Sequence, residues 1–384
     1  MFSSRLEWGH AANSLAQLLE QRRAAAKPIL DLTESNPTAA QFEYPEQQIL
    51  AALAAPRSLR YEPNPAGMLT ARRAVADYYG ARVDPGRILL TASTSEGYAL
   101  AFKLLADPGD EVLVPRPSYP LFEFLAALDS VRVMQYPLVY DCGWRIDLDA
   151  VASCVTERTR AIVLVNPNNP TGSFVKKSEL MQLIAVCRER QIALVSDEVF
   201  SDFALHDDPE RVSSFVAVDE VLTFALSGLS KVAGLPQLKL GWLVVGGPAD
   251  LQREALRRLE LIADTYLSVS TPVQFAAAEL LGSRHKVQEQ IRHRTRKNLE
   301  YLRSQIGPSS AWRVLDVEAG WYAIVQAPRI RTEEEWALTL LAEDGVLVQP
   351  GFFFDMESEA FLVVSLLTPP EIFQEGVRRI LARA

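Results

Sequence analysis

At 384 residues the chain is long enough for two packed units, since a single hydrophobic core stops growing at roughly 250–300 residues. Hydrophobic residues at 48% and charged ones at 23% are the proportions of a globular protein, not a disordered one. A formal charge of -9 argues against nucleic acid as a partner, because affinity for phosphate backbones comes from clustered Lys and Arg.

The first residues, "MFSSRLEWGHAANSLAQLLEQRR", form an interrupted amphipathic pattern without the apolar stretch of an export signal. No later segment has the roughly 18 unbroken apolar residues of a membrane span. Cys142, Cys154 and Cys187 make no CxxC pair and no even-numbered framework, so no disulfide scaffold and no metal site is expected. These features point to a reduced, cytoplasmic protein.

Further along, short Val/Ile/Leu runs alternate with helical patterns: "RILLTAS", "DEVLVP", "RAIVLVNP", "IALVSDE", "VLTFALS" and "KLGWLVVGG". Such runs predict an α/β unit with a parallel-rich sheet covered by helices on both faces. After about residue 283 a long charged helix, whose "RHRTRKNLEYLR" reads as a solvated face, leads into strands at "WRVLDVE", "WYAIVQA", "GVLVQP" and "AFLVVSLL". Helices at "TEEEWALTLLAED" and "PEIFQEGVRRILARA" interleave with them, which reads as a smaller α+β unit. The expected division is an N-terminal segment 1–45 packing on the small domain, a large domain 46–283 and a small domain 284–384.

Polar residues cluster where open α/β sheets bind ligands, at the carboxyl ends of strands. After "ILLTA", Ser93, Thr94 and Ser95 lead into a helix, a place suited to an anion such as phosphate and equally to an ordinary N-cap. After "AIVLV" comes "NPNNPTG", a tight loop with two Asn-Pro pairs. Asp197 ends the apolar run "IALVS", where a carboxylate needs a donor or a cation. Lys231 follows "VLTFALSG" among small residues; it reads either as a snorkelling lysine or as a nucleophile activated by burial.

In this order the four features resemble the class I/II aminotransferases, pyridoxal-phosphate (PLP) enzymes of fold type I. The resemblance extends from "LDLTESNPT" through "SFVKKSELMQLI", "GLPQLKLGW" and "EAGWYAIV" to the last strand. It implies a large domain with a mostly parallel seven-stranded sheet flanked by helices, and a small α+β domain. It also implies a role for each residue. Lys231 looks like the lysine that holds PLP as a Schiff base and shuttles protons, and Asp197 like the carboxylate that pairs with the pyridine nitrogen. Asn169 matches the donor to the phenolic oxygen, and Tyr119, in "PRPSYP", the aromatic that stacks on the ring. Thr94 and Ser95, with Ser227 or Ser230 and Lys239, fall where the family binds the phosphate. Tyr61 matches a tyrosine that reaches the phosphate of a neighbouring subunit, which implies a homodimer with shared sites.

The departures from the family bear on substrate. Phe200 stands where a tyrosine usually bonds the phenolic oxygen, and Lys239 where an arginine usually meets the phosphate. In "AFLVVSLLT", Val363 replaces the arginine whose fork clamps the substrate α-carboxylate. Arg60, Arg329 and Arg331 are the sequence candidates to replace it, and the aromatic loop "PGFFFD" is a candidate apolar wall. The expected function is therefore a PLP-dependent aminotransferase acting on an amino acid or amine with atypical carboxylate recognition. The alternatives are a PLP-dependent lyase, decarboxylase or C–C bond-forming enzyme of the same fold and, more distantly, a non-catalytic PLP-binding protein.

Overall fold

A computed structural model describes residues 2–6, 13–80, 82–358 and 360–383. Residues 1 and 7–12 of the expected N-terminal segment lie outside the described residues. The centre is a sheet of eight strands: β1 (Ile88–Thr91), β2 (Glu111–Arg116), β3 (Arg132–Tyr140), β4 (Trp144–Ile146), β5 (Thr159–Val165), β6 (Ala193–Asp197), β7 (Thr223–Gly228) and β8 (Gly241–Gly246). Their spatial order is β1-β8-β7-β6-β5-β2-β3-β4. Pairings β7/β6, β6/β5, β5/β2 and β2/β3 are parallel, while β8 runs against both β1 and β7.

The sheet thus has one strand more than the seven expected, because the short β4 folds back on β3 as an antiparallel edge. The runs read as strands are buried on both faces, which is why they are almost wholly apolar. Strand β3 is half exposed and carries Pro137 at its middle, so neither a buried run nor a clean alternation marks it.

Two apolar layers cover the sheet, one containing Ile88, Ala225, Trp242 and Val244, the other Leu89, Leu226, Leu243 and Val245. Helix α1 (Thr94–Leu105) packs directly on β7: a Cβ added at Gly97 would stand 2.9 Å from Leu226 Cδ2. A side chain at position 97 would displace the Leu226 methyl.

Helix α2 (Arg284–Gln305) leads to a second, four-stranded sheet made of β9 (Arg313–Val314), β10 (Tyr322–Gln326), β11 (Gln349–Pro350) and β12 (Phe361–Ser365), in the order β9-β10-β12-β11. "GVLVQP", expected as one strand, is divided between two sheets: Gln349–Pro350 joins β12, while Val346–Leu347 pairs in parallel with Leu30–Asp31 near the N-terminus. Leu15 and Leu32 enter the same apolar cluster as Val346, Leu362 and Val364, so residues of the N-terminal segment pack against this sheet.

Candidate active site

Three parallel strands deliver the sequence candidates to one end of the large sheet. β6 ends at Asp197, β5 runs into "NPNNPTG", and β7 runs through Gly228 into the short helical turn Leu229–Val232 that carries Ser230 and Lys231. Ser93 caps α1 by accepting the Glu96 amide through its hydroxyl (3.2 Å). The N–H groups of Thr94 and Ser95 have no partner within the helix and point, with the positive end of its dipole, outward. Gly241 opens β8 against this turn, where an added Cβ would lie 3.0 Å from the Ser93 carbonyl carbon. That contact brings Lys239 close to the start of α1.

These groups open into one cavity of about 340 Å³. Thr94, Ser95, Tyr119, Asn169, Asp197, Ser230, Lys231 and Lys239 all line it, eight of the ten residues named from sequence. Ser227 does not: it lies within β7 opposite Trp242, with its hydroxyl buried and without a hydrogen-bond partner, whereas Ser230 lies beyond the strand end and faces the cavity. Tyr61, 68% exposed, lines a separate pocket with Glu96 and Ser268 and does not reach the cavity of its own chain.

Electrostatics in the cavity follow from burial. Asp197 receives the Val199 amide at 3.1 Å and the Tyr98 hydroxyl at 3.2 Å. Burial nevertheless pushes its carboxyl up to about 6, against the pull of those donors and of Lys231. Lys231 is moved the other way, down to about 8, by the same desolvation, with Asp197 opposing it. Its Nζ faces aromatic rings, 4.9 Å from the centroid of Trp321 and 5.6 Å from that of Phe200. Glu198, beside Asp197 in sequence, points elsewhere and ties Ser196, Ser214 and the Phe215 amide together.

The three asparagines of "NPNNPTG" differ in what they are free to do. Asn166 bonds the Val175 amide and the Val212 carbonyl, and Asn168 reaches Ser118 and Thr171. Asn169 Oδ1 is buried with no partner, at the cavity wall. The loop closes on Gly172 at φ 72°, where an added Cβ would lie 2.4 Å from the Ala319 carbonyl oxygen. Only glycine combines that conformation with that approach.

Tyr98 was not singled out in the sequence, although it lies one turn after Thr94 on the face of α1 that meets the sheet, a spacing that marks it. Ser35 and Tyr322, which also line the cavity, come from the N-terminal segment and the small sheet, and nothing local in the sequence joins them. Val363 sits on β12, fully buried, between Ile324 and Gln349. None of Arg60, Arg329 and Arg331 lines the cavity, and Phe354 of the aromatic loop packs into a buried cluster. Among the described residues there is no cluster of metal-ligating side chains and no helix long and apolar enough to cross a membrane.

Lys231, the Asp197 carboxylate, the start of a helix and the unpartnered Asn169 Oδ1 thus border one cavity. The chain belongs to the class I and II aminotransferase family, whose model matches residues 27–380. Members of this family are PLP-dependent enzymes of fold type I. The chain is 31% identical over 267 residues to the glutamate-pyruvate aminotransferase AlaA of Escherichia coli K12, a match covering 68% of this chain and 66%, just under two thirds, of that protein. It is 32% identical over 271 residues to an alanine aminotransferase of Mycobacterium bovis, covering 68% and 62% of the two chains. The solved alanine aminotransferase of Pyrococcus furiosus superposes over 100% of this chain and 99% of its own, with a TM-score of 0.90 at 23% identity.

The cavity suits PLP on its own evidence. The buried Asn169 Oδ1 lacks a hydrogen-bond partner, the start of α1 with Lys239 suits an anion, and about 340 Å³ is within the range of small-molecule sites.

Proposed function

We propose that the chain is an aminotransferase in which Lys231 holds PLP and moves protons, while Asp197 pairs with its ring nitrogen. Asn169 hydrogen-bonds the phenolic oxygen, Tyr119 stacks on the ring, and Thr94, Ser95, Ser230 and Lys239 cradle the phosphate. The observation that carries this reading is the convergence of Lys231, Asp197 and the unpaired Asn169 amide on one cavity.

When bound, PLP supplies a carbon that takes up the substrate amino group and a ring that accepts the electron pair released at the neighbouring carbon. Lys231, with its pKa near 8, is neutral in roughly a tenth of molecules at pH 7, against about one in 3,000 for an unperturbed lysine. Its Nζ is thereby able to attack, and then to take and return a proton. Asp197 stays largely ionised at pH 7, so a positive ring nitrogen finds a fixed negative partner. Tyr98 and the Val199 amide hold that carboxylate in orientation. Val199, Phe200 and Leu240 line the cavity with apolar surface and limit water around Lys231.

The same reading makes the protein a homodimer, because Tyr61 is exposed and outside its own cavity while lying against the helix that begins the phosphate cradle. It divides the chain into the segment 1–45, the large domain 46–283 and the small domain 284–384. Three unpaired cysteines, one of them buried, suit a cytoplasmic setting. The substrate is a small amino acid or amine, and the names of the relatives point to alanine and glutamate as the first donors to try. Val363 favours a second reading: without a guanidinium fork the bond broken at the substrate carbon is less constrained, which suits a lyase or decarboxylase.

The test is Lys231→Ala. It is expected to abolish both the visible absorbance of the bound cofactor and the borohydride-fixed adduct, and an adduct on another lysine would overturn the assignment. Stoichiometric release of pyridoxamine phosphate after donor addition separates transamination from the second reading, which leaves PLP unchanged.

A further inference from the structure

The charged groups lining the cavity are few. Among the described residues these are Asp197, Lys231 and Lys239. Given the roles proposed above, all three are engaged by the cofactor: Asp197 with the ring nitrogen, Lys231 with the reacting carbon, Lys239 with the phosphate. No cation of the chain's own cavity lining remains for the substrate.

What replaces it is apolar and continuous. Phe200 and Val363, far apart in sequence, belong to one buried cluster that also contains Trp321, Ile324 and Phe354. Lys231 Nζ rests against this cluster through Trp321 and Phe200. Two of the three departures from the family therefore fall in one apolar cluster, Phe200 lining the cavity and Val363 buried behind it. The polar groups nearby are neutral, the Tyr322 hydroxyl being hydrogen-bonded to Ser35, and the charge that Tyr322 senses from the same segment is the carboxylate of Glu34. A substrate carboxylate placed here would face apolar surface and neutral hydroxyls. The sequence candidates for rescue lie away from the cavity of their own chain: Arg331 stands 5.1 Å over the Trp336 ring, and Arg60 lines a separate groove beside Phe275.

We propose that the substrate is a primary amine whose nitrogen-bearing carbon carries hydrogen or an apolar substituent in place of a carboxylate. The inference rests on the cofactor roles assigned above. The donor gives up its amino group and one hydrogen from that carbon, and water supplies the oxygen of the aldehyde or ketone that leaves. A second carbonyl compound of the same uncharged class accepts the amino group and hydrogen, and its oxygen departs as water. The donor carbon is oxidised by two electrons and the acceptor carbon reduced by two.

Matched pairs that differ only in the carboxylate test this on the PLP-loaded protein: 2-phenylethylamine against phenylalanine, 3-methylbutylamine against leucine, ethylamine against alanine. The expected result is that the amine of each pair converts the cofactor with a kcat/KM at least about 100-fold higher. Equilibrium binding gives a readout separate from turnover: 3-phenylpropionate should bind no more tightly than 3-phenylpropanol in the wild type, and about 100-fold more tightly in Val363→Arg. If that variant does not fold, the wild-type pairs stand alone. Preference for the amino acids overturns this inference and leaves the aminotransferase reading intact. Conversion by neither class, with borohydride still fixing PLP to Lys231, overturns both. Failure to fix PLP on Lys231 overturns the cofactor assignment itself.

Discussion

Asp197→Asn separates what the carboxylate costs the empty protein from what it contributes to the cofactor. The carboxyl sits near 6 in the folded chain, about two units above the 3.9 of an unfolded aspartate. Because the folded pKa is raised, the folded state binds the extra proton between pH 4 and 6. Stability is fully present below about 4 and falls as pH rises through 6. Two units correspond to about 3 kcal/mol, and partial exposure at the cavity wall with loss of the attraction to Lys231 reduces the gain from removing the charge to about 1–2 kcal/mol. Lys231 works with the opposite sign: its folded pKa near 8 lies below the unfolded value, so stability recovers as pH rises from 8 to about 10. The PLP-free wild type is therefore expected to be least stable between pH 6 and 8. In the PLP-free Asp197→Asn variant the fall between pH 4 and 6 should vanish, with a melting temperature at pH 7 higher by about 1–3 °C. PLP should bind the same variant at least about 10-fold more weakly. Calorimetry of both proteins across pH 4–10 checks this, and identical curves below pH 6 would refute the claim that Asp197 is held charged against burial.

Asn169→Ala should weaken PLP binding about 10-fold while leaving the PLP-free protein as stable as the wild type, since Oδ1 has no partner to lose; fluorescence titration and melting measure the two effects. Lys176→Met removes a buried ammonium that bonds Glu318 at 2.6 Å and Asp208 at 2.7 Å, leaving the buried Glu318 with only the Arg145 guanidinium at 3.9 Å and the Phe174 amide at 3.4 Å. Chemical denaturation should show a loss of about 3–5 kcal/mol, whereas Arg257→Ala on the exposed face of Ala249–Asp264 should change little. Gly172→Ala should lower the melting temperature, because φ 72° and the Ala319 carbonyl both exclude a Cβ, and an unchanged melting temperature would count against that strain.

The chemistry was readable in the sequence wherever one strand delivers one residue. The runs ending at Asp197 and before Lys231 are uniformly apolar because their strands are buried on both faces, so a polar residue at the end of each stands out. β3 escaped notice because it is half exposed and holds Pro137. Ser35 and Tyr322 escaped it for a different reason: their meeting depends on Ser365, which pairs with Tyr322 across the sheet while its amide bonds the Leu32 carbonyl. No local pattern encodes that junction. Of Ser227 and Ser230, only where β7 ends decides which faces the cavity: Ser227 is buried within the strand and Ser230 lies in the turn beyond it.

The cluster joining Phe200 to Val363 also bears on how Lys231 is activated. A tyrosine hydroxyl at position 200 or a guanidinium at 363 would bring dipoles or positive charge toward the lysine, and positive charge lowers an ammonium pKa by repulsion. Here the first cause of the shift to about 8 is desolvation, and the surface Nζ faces is the wall of Trp321 and Phe200. An apolar wall therefore does by burial what a cation elsewhere does by repulsion. The consequence is a coupling between specificity and activation. Phe200→Tyr or Val363→Arg changes substrate recognition and the proton affinity of Lys231 together, so the pH dependence of borohydride-trappable PLP should shift in both variants, even where substrate preference moves in only one.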